Sequence, residues 1–549
     1  MKPSFDVLDR EDKARQAATG RRLLPRLRVR DIVVSLAVVY ALYCYFFSKP
    51  LLVHPLPQHT GPYAVGAIDI EAPVSLPRTI HSAQFKGTDE KAFELETVLF
   101  TLYYPTTYAA AKSSATKRHT WIPKPLSLRA QGYARAAHIS NWFTDKLFTA
   151  VINSLVGGIT IPAAVDAPLS GHATPTSQAT DSEQAKQHPR TSDDGPSGGY
   201  PVIIFSHGTV SARTDYSHYA GELAARGHVV VMLEHRDGSS PGTVIKQHNQ
   251  PNQTRLLFDV SAVETPEGSQ SLTVEEFHQA QLNFRQAEIE EAVHVIKRIN
   301  TGHGAQIATQ NPYREGADLP KWANRLNTHA MIMAGHSYGA TGALQALRGG
   351  PTDARPFRAA IVLDPGKQSG PLNGDVHVPL LVVHSNTWSS SRRRSSSVLF
   401  SQDGRAHFDT VRAIVAANNA RGHPSWFMTS IGTSHPSVTD APLLEPWLLS
   451  FTTGATIDVY QGLRQYVHAA EDFLAFVAGG EVRGLMAERA EFPRYDEGAK
   501  MMMMGKPGQG GEKGTLEDLR RGEWADWRRY WQIHVSPVGE GPEGGKGDK

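Results

Sequence analysis

Five short, almost wholly apolar runs recur through the middle of the chain: Val202 to Phe205, Val229 to Leu233, Met331 to Ala334, Ala359 to Leu363 and Leu380 to Val383. None alternates apolar with polar residues, so each predicts a strand covered on both faces, as in a parallel sheet. Between the second and third runs, Leu282, Ile289, Val293 and Ile296 fall at helical spacing in a segment rich in charge and glutamine, which suits a helix lying on that sheet. Strands separated by helices predict a mostly parallel, doubly wound α/β architecture. An earlier run, Thr97 to Tyr104, alternates and reads as the first clear strand, ended by Pro105.

The flanks read differently. Ile32 to Phe47, extended by Leu51 to Val53, follows the basic cluster Arg21, Arg22, Arg26, Arg28 and Arg30 and predicts a transmembrane signal anchor over 31–53. No small-x-small cleavage site follows it, which favours an uncleaved anchor over a signal peptide. Residues 1–30 would then be a cytosolic tail, 54–90 a stalk leading into the domain, and the remainder lumenal or extracellular. Residues 91–480 read as one domain. Within it, 166–199 is dominated by Ser, Thr, Pro, Gln, Asp and Gly and reads as a disordered insertion. Residues 481–549 read as a polar C-terminal tail with a helix over Leu516 to Val535, on which Trp524, Trp527 and Trp531 could dock on the body or on a membrane. Trp142, Phe143, Leu147, Phe148, Val151, Ile152 and Leu155 form an apolar helical stripe that either faces the core or lies on lipid.

The 56 basic and 54 acidic side chains nearly cancel, which argues against a nucleic-acid partner. Cys44 is the only cysteine, so the domain has neither a disulfide nor a thiol nucleophile.

Gly335-His336-Ser337-Tyr338-Gly339 joins the run ending at Ala334 to a small-residue helix start, the strand, sharp turn and helix of a nucleophile elbow. A serine hydroxyl needs a histidine base and an acid to orient that base. In this class of fold both follow the serine at the ends of later strands. Asp364 ends the strand Ala359 to Leu363 and is the candidate acid; the next strand ends in His384-Ser385-Asn386 without one, and Asp403 and Asp409 are the fallback. His435, on a small-residue loop after Trp426 to Met428, is the candidate base; His423 precedes that segment and is the rival. An oxyanion hole takes one amide from the residue after the nucleophile, Tyr338, and one from an earlier strand-end loop, here Thr209 in Ser206-His207-Gly208-Thr209. Glu234-His235-Arg236-Asp237 pairs histidine with carboxylates, but adjacent residues at a strand end rarely converge on one ion, so salt bridges behind the site are expected rather than a metal.

Phe205-Ser206-His207-Gly208 with Arg213, Glu234 to Asp237, the elbow, Leu363-Asp364, Thr101 to Pro105, Trp121-Ile122-Pro123 and the segment Ala455 to Phe476 together resemble the platelet-activating-factor acetylhydrolases, from about residue 95 to residue 480. The resemblance implies an α/β-hydrolase fold and calcium-independent removal of short or oxidised sn-2 acyl groups from phospholipids. It places the triad at Ser337, Asp364 and His435 and the oxyanion donors at Thr209 and Tyr338, with no cofactor. The insertion, the tail and the anchor depart from the family pattern. A general carboxylesterase and a non-catalytic, membrane-held binding module are the alternatives.

Overall fold

The structure is a computed structural model that describes residues 29–47, 53–114, 117–171, 199–247, 251–266, 271–390, 406–446, 452–496 and 527–538. Its strands are β1 (Ala64–Phe85), β2 (Lys91–Thr106), β3 (Ala164–Val165), β4 (Tyr200–Ser206), β5 (Val229–Glu234), β6 (Gly242–Ile245), β7 (Gln253–Leu256), β8 (Val263–Glu264), β9 (Leu326–His336), β10 (Phe357–Leu363), β11 (Leu380–Ser385), β12 (Ser425–Ser430) and β13 (Trp531–Val535). The larger helices are α1 (Val29–Phe46), α2 (Leu126–Ala136), α3 (Trp142–Val156), α4 (Ser217–Ala224), α5 (Val274–Arg298), α6 (Tyr338–Ala346), α7 (His407–Ala420) and α8 (Val459–Gly479).

One large sheet runs in the order β13-β12-β11-β10-β9-β4-β5-β2-β1-β3, with β8 beside β1. From β12 across to β5 every neighbouring pair is parallel, and each of the five apolar runs lies in one of these strands. The reason is visible in β4. Ile203 and Phe205 pack on one face with α4 and α8, while Val202 and Ile204 pack on the other with α5, α6 and α7. Both sides of the strand are core, so no polar residue interrupts it. The expected helix is α5, with Leu282, Ile289, Val293 and Ile296 all buried.

Four expectations change. Residues 54–90 are more than a stalk, since β1 is a 22-residue strand paired with β2. Its Pro73 and Pro77 hid it; the register with β2 shifts between Pro73 and Arg78, and there neither β3 nor β8 pairs with the outer side of β1, so proline is tolerated. The strand that holds Thr97 to Tyr104 likewise runs through Pro105 to Thr106. The insertion begins as packed chain: Leu169 is buried, and Ala167 O accepts from the Tyr104 hydroxyl. Its remainder, 172–198, lies outside the described residues. In the 481–549 segment, Trp531–Val535 forms β13, antiparallel to β12. The expected helix is therefore a strand at its C-terminal end, while Trp524 and Met501 to Met504 lie outside the described residues.

The spanning anchor is not supported. Helix α1 forms in the expected place, but among the described residues no helix is long and apolar enough to cross a membrane. Its 18 residues include Arg30 and Asp31 in the first turn, and at 1.5 Å per residue they reach about 27 Å against a hydrocarbon core of about 30 Å. The single-pass topology, and the lumenal placement inferred from it, lose their basis. The basic tail up to Arg28 lies outside the described residues.

Candidate active site

At the C-terminal end of β9 the chain reverses into α6 within one residue. Ser337 takes φ 57° and ψ −122°, a conformation costly for any residue with a side chain. Two glycines make the turn possible. A Cβ on Gly335 would lie 2.3 Å from Gly339 O, and one on Gly339 would lie 1.9 Å from Ser206 O. The Ser337 amide donates to Leu363 O at 3.0 Å, which fixes the elbow to the end of β10.

The structure brings Ser337, His435 and Asp364 together. Ser337 Oγ lies 3.1 Å from His435 Nε2, and His435 Nδ1 lies 2.8 Å from Asp364 Oδ2. Asp364, buried at the end of β10, also accepts from the Ser385 amide at 2.6 Å and the Ser385 hydroxyl at 2.7 Å. The strand end without an acid therefore supplies two donors to the acid beside it. His435 is held face to face by Trp388, with ring centroids 3.9 Å apart and planes at 10°. On its other flank His336 lies 4.5 Å away. Burial, with His435 beside it, holds His336 well below the usual histidine range, so its ring is neutral. The Tyr216 hydroxyl accepts from the Gly208 amide at 3.2 Å and shares a hydrogen bond with His336 Nδ1 at 2.9 Å, tying the loop after β4 to the elbow.

The rivals lie elsewhere. His423 precedes β12 beside His377, Asp409 is exposed in the first turn of α7, and Asp403 lies outside the described residues. Thr209 and Tyr338 line one pocket with Ser337 and His435, a cavity of about 1210 Å³.

The side chains of Glu234 to Asp237 turn to different charged partners. Glu234 meets Arg129 and Arg213; His235 meets Ser206 and Glu288; Arg236 meets Glu71; Asp237 meets Arg285. Arg285 is one residue that sequence reasoning missed, and Trp388 is another. Fully buried on α5, it donates from Nε to Asp237 Oδ2 at 2.7 Å, and from its two terminal nitrogens to His207 O at 2.7 Å and Ser239 Oγ at 2.6 Å. Its guanidinium also lies 4.4 Å from the centre of the Tyr338 ring. One turn earlier, Gln281 accepts from the Tyr338 hydroxyl at 2.7 Å and donates to Asp237 O at 2.8 Å. Ser239 O in turn accepts from the Val210 amide at 2.7 Å. The α5 pair thus grips both loops that carry Thr209 and Tyr338. Burial, with Arg285 next to it, pulls His207 down to about 4, so this loop histidine stays neutral.

His336, Asp364 and His435 offer ligand atoms within 4.8 Å of one another. As placed, Asp364 and His435 satisfy each other through a hydrogen bond, an arrangement suited to moving a proton.

A mostly parallel, doubly wound sheet, with an elbow serine followed in chain order by an acid and a histidine at later strand ends, is consistent with the α/β-hydrolases. The model of platelet-activating factor acetylhydrolase, isoform II, matches residues 179–481, more than half of the chain, and the chain belongs to that family. It is 25% identical over 344 residues to a platelet-activating factor acetylhydrolase of Cavia porcellus, covering 61% of this chain and 62% of that one. To a putative phospholipase A2 of Schizosaccharomyces pombe it is 25% identical over 297 residues, covering 52% of this chain and 57% of the other. The chain thus spans less than two thirds of the length of either relative. A ferulic acid esterase from Streptomyces cinnamoneus superposes with a TM-score of 0.41 at 14% identity, over 78% of this chain and 92% of that one.

Proposed function

We propose that this protein is a serine carboxylic ester hydrolase that removes short or oxidised sn-2 acyl groups from phospholipids, without calcium, through an acyl-enzyme. The relay from Ser337 through His435 to Asp364 carries the reading. His435 Nε2 takes the proton from Ser337 Oγ as that oxygen attacks the acyl carbonyl, and the Thr209 and Tyr338 amides receive the negative charge that develops. The imidazolium, oriented by Asp364, returns the proton to the leaving alcohol. Water then releases the acid by the same path.

Family membership supports the phospholipid class, and so does the surface. On α3, Trp142 is 74% exposed and Phe143 63%; on α1, Phe46 is 74% exposed. The N-terminal part of the α3 stripe is therefore turned away from the core, while Ile152 packs against it, and the end of α2 and the α2–α3 connection supply Arg135, His138 and Ser140 to the pocket rim. Exposed apolar groups that follow the pocket-lining Ser140 in sequence suit contact with a lipid surface. Phosphatidylcholine vesicles should sediment the protein and retain less of a Trp142→Ser, Phe143→Ser variant; equal retention would remove the lipid-facing role.

The test of the activity is hydrolysis of a short sn-2 acyl phosphatidylcholine with chelator present. Ser337→Ala should lose about 10⁶ in turnover. Turnover that survives the substitution would refute the mechanism, and turnover only on phosphate-free esters would favour a general carboxylesterase. Failure of a fluorophosphonate probe to label Ser337 would favour the binding module.

A further inference from the structure

The pocket around Ser337 is charged unevenly. Among the described residues that line it, Arg135 and Lys367 are cationic and Asp259 is the sole carboxylate. Asp259 is occupied, since it accepts from the amide and hydroxyl of Ser261. Arg135 lies at the rim and donates to Leu257 O at 3.3 Å.

Lys367 lies deeper, three residues past Asp364 on the loop Pro365-Gly366-Lys367. Its ammonium donates to Trp388 O at 2.7 Å and stands 4.5 Å from the centre of the Trp388 ring. Among the described residues it forms no ion pair. The carboxylate that pulls on it electrostatically, Asp364, is already spent on Ser385 and His435. Burial holds the amine below the usual lysine range despite that pull. A half-buried ammonium whose one hydrogen-bond acceptor is neutral has unused donors and no ion-pair partner among the described residues, and an incoming anionic oxygen would satisfy both.

Its position tells which part of a substrate it would meet. Trp388 connects Lys367 to the imidazole of His435, and that imidazole must face the oxygen of the leaving alcohol to protonate it. A charge that approaches the site from the Trp388 side of His435 would meet the alcohol portion of the scissile ester.

Resting on the esterase reading above, we propose that Lys367 is a specificity-determining residue that binds an anionic oxygen group on the leaving alcohol, the phosphate of a phospholipid. The same chemistry could come from a carboxylate at the far end of an oxidised acyl chain, and the test separates the two.

Three esters are compared: a short sn-2 acyl phosphatidylcholine, a diacylglycerol with the same sn-2 acyl group, and a diacylglycerol whose sn-2 acyl chain ends in a carboxylate. Each is given to the wild-type chain and to Lys367→Met and Lys367→Arg. The quantity read is the ratio of kcat/KM between substrates, which cancels any general loss from disturbing Trp388. In Lys367→Met the ratio of phosphate ester to neutral ester should fall about tenfold or more, mostly through KM, and Lys367→Arg should restore most of it. An unchanged ratio overturns the proposal and leaves the esterase reading standing. A fall confined to the carboxylate-bearing acyl chain moves the anion to the acyl side and overturns the alcohol-side assignment. A wild-type chain inactive on all three overturns the esterase reading, and this proposal with it.

Discussion

Replacing Arg285 with Met tests whether the α5 clamp sets up the oxyanion hole or only fills space. The substitution keeps most of the side-chain volume and removes the guanidinium from a site that is 0% exposed. Asp237, also 0% exposed, loses its ion-pair partner at 2.7 Å and keeps only the amide and hydroxyl of Ser239. Stranding a buried charge in this way costs about 3–5 kcal/mol, which a domain of ordinary stability of about 5–15 kcal/mol can survive. His207 O and Ser239 Oγ also lose their donor, and the Tyr338 ring its cation. The two amides remain in the chain, so the roughly 10²–10³ cost of deleting an oxyanion donor is a ceiling. Loosening both by a fraction of an ångström should lower kcat about 10- to 100-fold with KM within about threefold. Guanidinium denaturation reads the first effect and steady-state kinetics the second. The double variant Arg285→Met, Asp237→Asn removes the stranded charge, so it should recover much of the stability and little of the kcat. A single variant that loses several kcal/mol yet turns over within about threefold of wild type would refute the reasoning.

Gly339→Ala puts a Cβ 1.9 Å from Ser206 O, a backbone atom that cannot move aside, so the variant should be inactive and lose several kcal/mol in denaturant; near-normal activity would mean the elbow is not packed on β4 as described. Asp440 caps α4 through the amides of Ser217 and His218 at 2.9 Å each, and burial, against the help of those bonds, pushes its carboxyl up to about 7. Between about pH 4 and 7 the folded chain keeps this proton while the unfolded chain has lost it, so the group's contribution to stability falls by roughly 1.4 kcal/mol per pH unit and then levels off. Denaturation at pH 5, 6, 7 and 8 should therefore show the wild type losing ground to Asp440→Asn up to about pH 7; parallel curves would contradict the buried, protonated state.

How much of this could be read from the residues alone differs by element. The central strands were legible because a strand buried on both faces has no polar position to spare, as Val202 to Phe205 shows. That Ser337, Asp364 and His435 meet in space was legible because a sharp strand-to-helix turn needs Gly335 and Gly339 and the expected partners follow in a fixed order. The edges were not. β1 carries two prolines and exposed polar positions, which it can bear because its outer side is open between its short pairings with β3 and β8, and β13 is five residues among glycine-rich sequence. Arg285 on a charged helix looks like a solvated residue until the fold buries it beside Asp237, 48 positions away. Trp388 gave no signal either, because what matters is a ring stacked on a histidine 47 positions later in the chain, and nothing local marks that meeting.

The position of β13 also bears on how the chain acquires its site over time. β12 leads directly into the loop that carries His435, and the amide of Ile431 in that loop is held by Tyr530 O at 2.7 Å, a contact between residues far apart in sequence. Contacts that close long loops form late, after hairpins such as β1–β2. Refolding from denaturant should accordingly recover helix and strand signal before it recovers esterase turnover, because the histidine loop is latched only when the last strand reaches the far edge of the sheet.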